Sequence, residues 1–344
     1  MLTAAPPAEL LVANRMLRTT LAGLIRSYGS IQLIERSQLA VALLDDRGRV
    51  VLGRGGLHIG NLEALAQSCL ATFGELQPGD VAITNDPYSG GTRVTDHFVI
   101  APVLAGGERL GLAVVTAPFF DVGGKRLGND VPEAPDLFAE GVRTTPIRIR
   151  RGGVVDQDVL RLLRLNSRVP ALVGADVEAL LATVTILTGH AAGLLVGELP
   201  AALPAASRAV VESALVGLAS PGPARTAPVP RAADGTVIQI ALSVADGKLA
   251  VDFSGTSGQV PSHHNATLPT TVSAVVRAVA DQLGCLPNSG VSEALQVKGP
   301  PQSILSCVAS AAVGGGVHGT CAVVYALVRE CLGAGGNGSP GERS

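Results

Sequence analysis

Three times along this chain an apolar run meets a short turn and is followed by a second apolar run. Gln38–Leu44 leads through Asp45-Asp46-Arg47-Gly48 into Arg49–Leu52, and Phe98–Leu104 leads through Ala105–Arg109 into Leu110–Val115. Val237–Val244 leads through Ala245-Asp246-Gly247 into Lys248–Phe253. Each connection carries glycine, which supplies the left-handed backbone that tight strand connections need, and the third carries the Asp-Gly pair itself, so each unit reads as a β-hairpin. Helical spacing of apolar residues marks 8–29, 61–73, 157–165, 175 into the 190s, 205–218, 270–283 and 320–332. Asn61 can cap the second of these, and Gly284 ends the one before it. The expected fold class is therefore α+β: hairpin-rich mixed sheets flanked by helices, arranged in two lobes. Ser220-Pro221-Gly222-Pro223-Ala224 reads as a linker. The expected organisation is an N-terminal lobe over 1–219, a linker over 220–232, a C-terminal lobe over 233–332 and a disordered tail over 333–344.

Composition narrows the function classes. The chain is 47% apolar but only 3% aromatic, so its core must be built from Ala, Val and Leu. A net charge of −2 with no Lys/Arg-rich run argues against nucleic acid and anionic membrane as partners. No uninterrupted apolar run spans a bilayer, and the start Met1-Leu2-Thr3-Ala4-Ala5-Pro6-Pro7 lacks the basic residues of a signal peptide. A soluble, cytoplasmic protein is expected. The five cysteines form no Cys-x-x-Cys pair and are odd in number, which disfavours a zinc ribbon or a disulfide framework. Gly-x-Ser-x-Gly, the Gly-Lys-Ser/Thr phosphate loop and His-Glu-x-x-His are all absent.

Two stretches carry the chemistry. Asn85-Asp86-Pro87-Tyr88-Ser89-Gly90-Gly91-Thr92-Arg93-Val94-Thr95-Asp96-His97 combines a turn, an aromatic, a glycine pair and two carboxylates bracketing an arginine. Phe119-Phe120-Asp121-Val122-Gly123-Gly124 follows after one apolar run. Hairpin connectivity is expected to bring Asp96 and Asp121 towards one region, where carboxylates hold a metal or move a proton. Residues 125–140 form a long, interrupted loop of the kind that often serves function. The adjacent His263 and His264 sit in a polar loop, which would allow both to face one ion. Gly314-Gly315-Gly316 lacks dinucleotide-loop spacing and is assigned no cofactor.

Asn85-Asp86-Pro87-Tyr88-x-Gly90-Gly91-Thr92 with Asp96 resembles the signature of the hydantoinase B/oxoprolinase family. That family includes N-methylhydantoinase B subunits, the C-terminal part of 5-oxoprolinases and acetone carboxylase alpha subunits. Further matches follow in order: Glu35-Arg36-Ser37-x-x-Ala40 with Asp46-x-Gly48-Arg49, His58-Ile59-Gly60, Asp121-Val122-Gly123-Gly124, Glu140-Gly141 with Pro146, and Asn166-x-Arg168-x-Pro170. Asp252-Phe253-Ser254-Gly255-Thr256-Ser257, Asn265 and Pro287-Asn288-x-Gly290 complete the set over roughly 10–330.

The resemblance implies a B-type subunit of an ATP-dependent cyclic amide hydrolase, acting on a small hydantoin- or 5-oxoproline-like substrate. A hydantoinase A-type ATPase partner would bind the ATP and phosphorylate the amide oxygen. It further implies a divalent metal (Mn, Zn or Mg) held by Asp96, Asp121, His97 and His58, with Asp121 and Asp86 as catalytic groups. Arg93, Tyr88, Gly90, Gly91, Gly123 and Gly124 would bind substrate or anion. The chain departs from the pattern where the family carries histidines: Pro118 and Phe119 precede Asp121, and Arg93 follows Thr92. Family chains also usually continue further, whereas here the sequence runs into a Gly/Ser/Pro tail. These departures sustain a second reading, a catalytically silent structural or regulatory subunit, and the resemblance also implies an acetone carboxylase-like carboxylase subunit as an alternative.

Overall fold

A computed structural model of the chain describes residues 8–34, 38–56, 58–216, 224–230, 232 and 235–334. The helices are α1 (Ala8–Ser27), α2 (Ile59–Phe73), α3 (Leu137–Glu140), α4 (Gln157–Leu165), α5 (Pro170–Leu195), α6 (Leu199–Leu215), α7 (Leu268–Leu283), α8 (Ser289–Glu293) and α9 (Cys321–Ala334). The strands are β1 (Ala40–Asp45), β2 (Val50–Gly55), β3 (Val81–Thr84), β4 (Asp96–Ala105), β5 (Glu108–Pro118), β6 (Ile147–Arg151), β7 (Val154–Val155), β8 (Arg225–Pro228), β9 (Val237–Ala245), β10 (Lys248–Asp252) and β11 (Leu295–Lys298).

Among the described residues, β1–β7 form an antiparallel sheet in the order β2-β1-β5-β4-β3-β6-β7. The other four form a second sheet, β11-β10-β9-β8, with β11 parallel to β10. All three expected hairpins are present, and the β4–β5 ladder runs from Asp96↔Pro118 to Ala105↔Glu108.

The central strands are apolar on both faces because both are covered. Val41, Leu43, Val99, Ala101, Ala113 and Val115 pack under α1 and α5. Their alternates Ala42, Leu44, Phe98, Ile100, Leu112 and Val114 face a second core that includes Ile238, Ile240, Leu249 and Val251 of the smaller sheet. A strand's side chains alternate, so one sheet can serve two cores only if nearly every position is apolar. Val, Ala and Leu fill those positions, as the low aromatic content demands. The second core draws on residues from both expected lobes, 1–219 and 233–332, which thus share one interior. Of the expected linker, Arg225–Pro228 is strand β8, paired with β9; residues 217–223, 231, 233 and 234 lie outside the described set, as do 335–344 of the expected tail.

One helix differs from expectation: α5, expected from 175, begins at Pro170, which occupies its first turn, where a missing N–H costs nothing. By length and composition α5 is apolar enough to cross a membrane, with mean hydropathy 1.7. Here its Val177, Leu180, Val184 and Leu187 are fully buried against β4 and β5, so the run serves as a core helix. Asp176 on α5 accepts hydrogen bonds from the backbone N–H (2.9 Å) and hydroxyl of Ser30, fixing the exit of α1.

Candidate functional site

The stretch after β3 folds back on itself because each polar group finds a local partner. Asn85 is fully buried; its amide donates to the carbonyls of Val94 (2.6 Å) and Val142 (2.9 Å), and its oxygen accepts from Thr144 N (2.6 Å). Asp86 caps the 3-10 turn Pro87–Ser89, accepting from Tyr88 N (3.0 Å) and Ser89 Oγ (2.7 Å), with Arg143 Nε 3.8 Å away. Tyr88 donates its hydroxyl to Ala311 O at 2.7 Å and so ties the turn to the loop before α9. Gly90 adopts φ 98°, and a Cβ there would lie 2.2 Å from Leu65 N of α2. A Cβ at Gly91 would lie 2.7 Å from Asp86 O. Both glycines therefore let the turn seat against protein backbone.

The turn delivers Thr92, Arg93 and Asp96 to one place. Arg93 forks onto Asp96, with Nε–Oδ2 2.9 Å and Nη2–Oδ1 2.7 Å, and Thr92 Oγ1 donates to Oδ2 at 2.5 Å. Burial would raise the Asp96 carboxyl, but the Arg93 guanidinium and the Thr92 hydroxyl outweigh it and hold the group below its usual range. His58 lies beside this pair, its pKa pushed down to about 4 by burial against the opposing pull of Asp96.

The other expected residues go elsewhere. His97 neighbours Asp96 on β4 and therefore points to the opposite face, where it stacks on Phe119 (ring centroids 3.7 Å, interplanar angle 12°). Burial lowers it to about 4 as well. Asp121 is wholly buried past the end of β5. It accepts from Arg168 N (2.6 Å) and Ser167 Oγ (3.1 Å) and lies 3.2 Å from Arg168 Nη1, at the junction of α4 and α5. Gly123 and Gly124, at φ 80° and 75°, bring this segment against Asn166 O and the Glu140 carbonyl. The hairpin is as expected, yet Asp96 and Asp121 diverge, because Asp121 lies beyond the ladder and turns to a different partner. Asp96, Asp121, His97 and His58 thus do not form one ligand set. Among the described residues no group of three or more His, Cys, Asp or Glu side chains is close enough to hold a metal ion.

What the fold does assemble is a cleft of ≈ 730 Å³ bounded by Arg93, Asn129, Asp130, Glu140, His263, His264 and His318, with Gly314 and Gly315 in its wall. A smaller chamber of ≈ 340 Å³, holding His58, Asp96 and Arg277, shares Arg93 and His318 with it. Glu140 ends α3 and is 1% exposed. Its carboxylate accepts from Val313 N (3.0 Å) and Gly314 N (2.6 Å), while burial raises it to about 7. The loop expected over 125–140 is held by Asn129, whose side chain bonds Val122 N, Gly123 O and Glu140 O. His263 lies 4.0 Å from Asp130, and its partner His264 packs edge-on at 4.5 Å. His318 Nε2 is 3.1 Å from Gln38 Nε2. The sequence reading assigned no role to Glu140, His318 or Gln38. The only signal for them was a Glu-Gly pair and a histidine inside a glycine-rich run, and neither spacing points to a cleft.

The profile of the family described as hydantoinase B/oxoprolinase matches residues 12–340. A 5-oxoprolinase, PfmaA, of Pestalotiopsis fici is 25% identical over 333 residues, covering 88% of this chain and 26% of that protein. The caprolactamase subunit beta of Pseudomonas jessenii is 31% identical over 141 residues, covering 40% of this chain and 24% of that subunit. The crystal structure of the ATP-dependent caprolactamase from Pseudomonas jessenii superposes with a TM-score of 0.82 at 21% identity, covering 97% of this chain and 61% of that one. An acetone carboxylase structure gives 0.73 at 14% identity, covering 90% and 46%. These two likenesses are of fold. The matched stretch covers about a quarter of the length of each of these two curated relatives.

Proposed function

This chain belongs to the hydantoinase B/oxoprolinase family, and from that we propose that it is the B-type subunit of an ATP-dependent cyclic amide hydrolase. Its partner is an A-type ATPase subunit. An amide is a poor electrophile, and a phosphoryl group placed on its oxygen by the partner makes the carbon open to attack. The cleft of this chain receives that phosphorylated ring. One observation supports the reading most: the family's signature turn delivers Arg93 into a half-open cleft that it shares with Glu140, His263, His264 and His318. A guanidinium suits a phosphoryl or carboxylate oxygen, and the Arg93–Asp96 fork fixes its direction. Asp121, Asp86, Tyr88 and the four glycines act in this reading as scaffold, since each is engaged by neighbouring backbone or side chains. The proposed chemistry rests on the chain's own side chains, because of the four residues expected to bind a metal only His58 and Asp96 share a chamber, while His97 and Asp121 face other partners.

That same dispersal favours a second reading, in which the chain is a catalytically silent subunit that shapes the complex. Co-purification with an A-type subunit, followed by assay of ADP release and ring opening on hydantoin, 5-oxoproline and caprolactam, separates the two. Ring opening that requires ATP and both chains supports the hydrolase. An assembled complex that releases ADP without opening any ring supports the silent subunit, and failure to assemble refutes both.

A further inference from the structure

We propose that Glu140 is the general acid–base group of the cleft, moving a proton from the attacking water to the ring nitrogen of the activated amide. The proposal rests on the hydrolase reading above. Glu140 is buried among protein atoms yet borders the cleft between Asn129 and Gly314. Its two donors, Val313 N and Gly314 N, are neutral backbone groups, which orient the carboxylate without the charge that would keep it permanently ionised. Gly314 keeps the carboxylate reachable: a Cβ there would lie 2.8 Å from Oε1. Gly315 does the same for His263, since a Cβ would lie 2.6 Å from its Nε2. The two glycines thus bring a carboxyl and an imidazole to consecutive residues of one wall.

The charged and titratable groups around Glu140 are Arg93, which favours the carboxylate, and Asp136, which opposes it. The Tyr88 hydroxyl and the Cys307 thiol also face it, and burial keeps both protonated. His263, beyond the glycines, is lowered by burial and stays neutral at pH 7. Burial dominates the sum, and a carboxyl near 7 gives and takes a proton with similar ease at neutral pH.

Water forms a C–O bond to the phosphorylated carbon while Glu140 takes one of its protons. The C–N bond then breaks with its electrons on nitrogen, which receives that proton from the Glu140 carboxyl. The remaining hydroxyl proton leaves as the carbonyl forms, so both protons of the water end on nitrogen. The product is an amine and an acyl phosphate, and a second water hydrolyses the latter to carboxylate and phosphate.

The test uses the complex with its A-type subunit, 5-oxoproline or caprolactam as probe, and pH profiles of kcat/KM. Glu140→Gln is expected to lower ring opening by at least about 100-fold with assembly unchanged. Glu140→Asp is expected to restore part of the rate and to move the acid limb, which is expected near pH 7 in the unaltered complex. Should Glu140→Gln not fold, Glu140→Asp and Gly314→Ala decide: the first must shift the limb and the second must slow ring opening. Turnover within threefold in Glu140→Gln, or an unmoved limb in Glu140→Asp, overturns the role of Glu140 and leaves the hydrolase reading standing. An assembled, unaltered complex that opens no ring overturns both.

Discussion

Asp121→Ala separates a structural carboxylate from a catalytic one. Asp121 is 0% exposed and accepts from Arg168 N at 2.6 Å and Ser167 Oγ at 3.1 Å. Removing it orphans the Arg168 amide, at about 2 kcal/mol for a donor to a charged acceptor. The Ser167 hydroxyl also bonds Val169 N and can rotate, so its loss adds less. The ion pair with Arg168 contributes under about 1 kcal/mol, because that guanidinium is 41% exposed and screened. The total is roughly 3 kcal/mol. An unfolding entropy of about 2.1 cal/mol/K per residue over the 344 residues gives about 0.7 kcal/mol/K, so the melting temperature should fall by about 4 °C. Differential scanning fluorimetry and urea midpoints read this directly, and ring-opening assays on the folded fraction complete the comparison. A melting temperature within 1 °C of the unaltered protein, together with turnover down by orders of magnitude, would place Asp121 in the chemistry and refute the argument.

His97 and Gly90 give two further tests. The folded pKa of His97 is depressed to about 4 from 6.5, so between those values only the unfolded chain takes the proton and stability falls as pH drops. His97→Phe can keep the stack on Phe119 and should remove up to about 3 kcal/mol of that acid-side loss, read as urea midpoints at pH 7 and pH 4.5. Gly90→Ala meets both a positive φ of 98° and a 2.2 Å contact with Leu65 backbone, and should yield insoluble or unfolded protein, by circular dichroism. A soluble, cooperatively melting Gly90→Ala variant would show that the turn does not seat on α2 as described.

The hairpins were legible because their determinants are local: Asp46–Gly48 and Asp246–Gly247 dictate turns whatever lies beyond them. The helices from Gln157 and from Cys321 were legible for the same reason, through apolar spacing. Pro170 misled because a proline reads as a stop from one side and as a first turn from the other. The expected site residues were legible as a motif but not as roles. Adjacent strand residues such as Asp96 and His97 cannot share a ligand, and Asp121 lies just far enough past β5 to find Arg168 instead.

By itself, then, the sequence determined the three hairpin pairings, the positions of most helices, an aliphatic core and membership of a family. All of these follow from residue spacing within a dozen or so positions or from an ordered set of motifs. Only the tertiary structure decided that residues on both sides of the 220–232 stretch share one core. It also decided that the cleft is made by Arg93, Glu140, His263 and His318, which are up to 225 positions apart in the chain. Glu140 becomes a candidate proton carrier only because the loop at Val313 and Gly314 closes over it, burying it at the cleft wall and supplying two neutral donors. Burial of that kind is a property of packing between distant segments, and no local pattern encodes it.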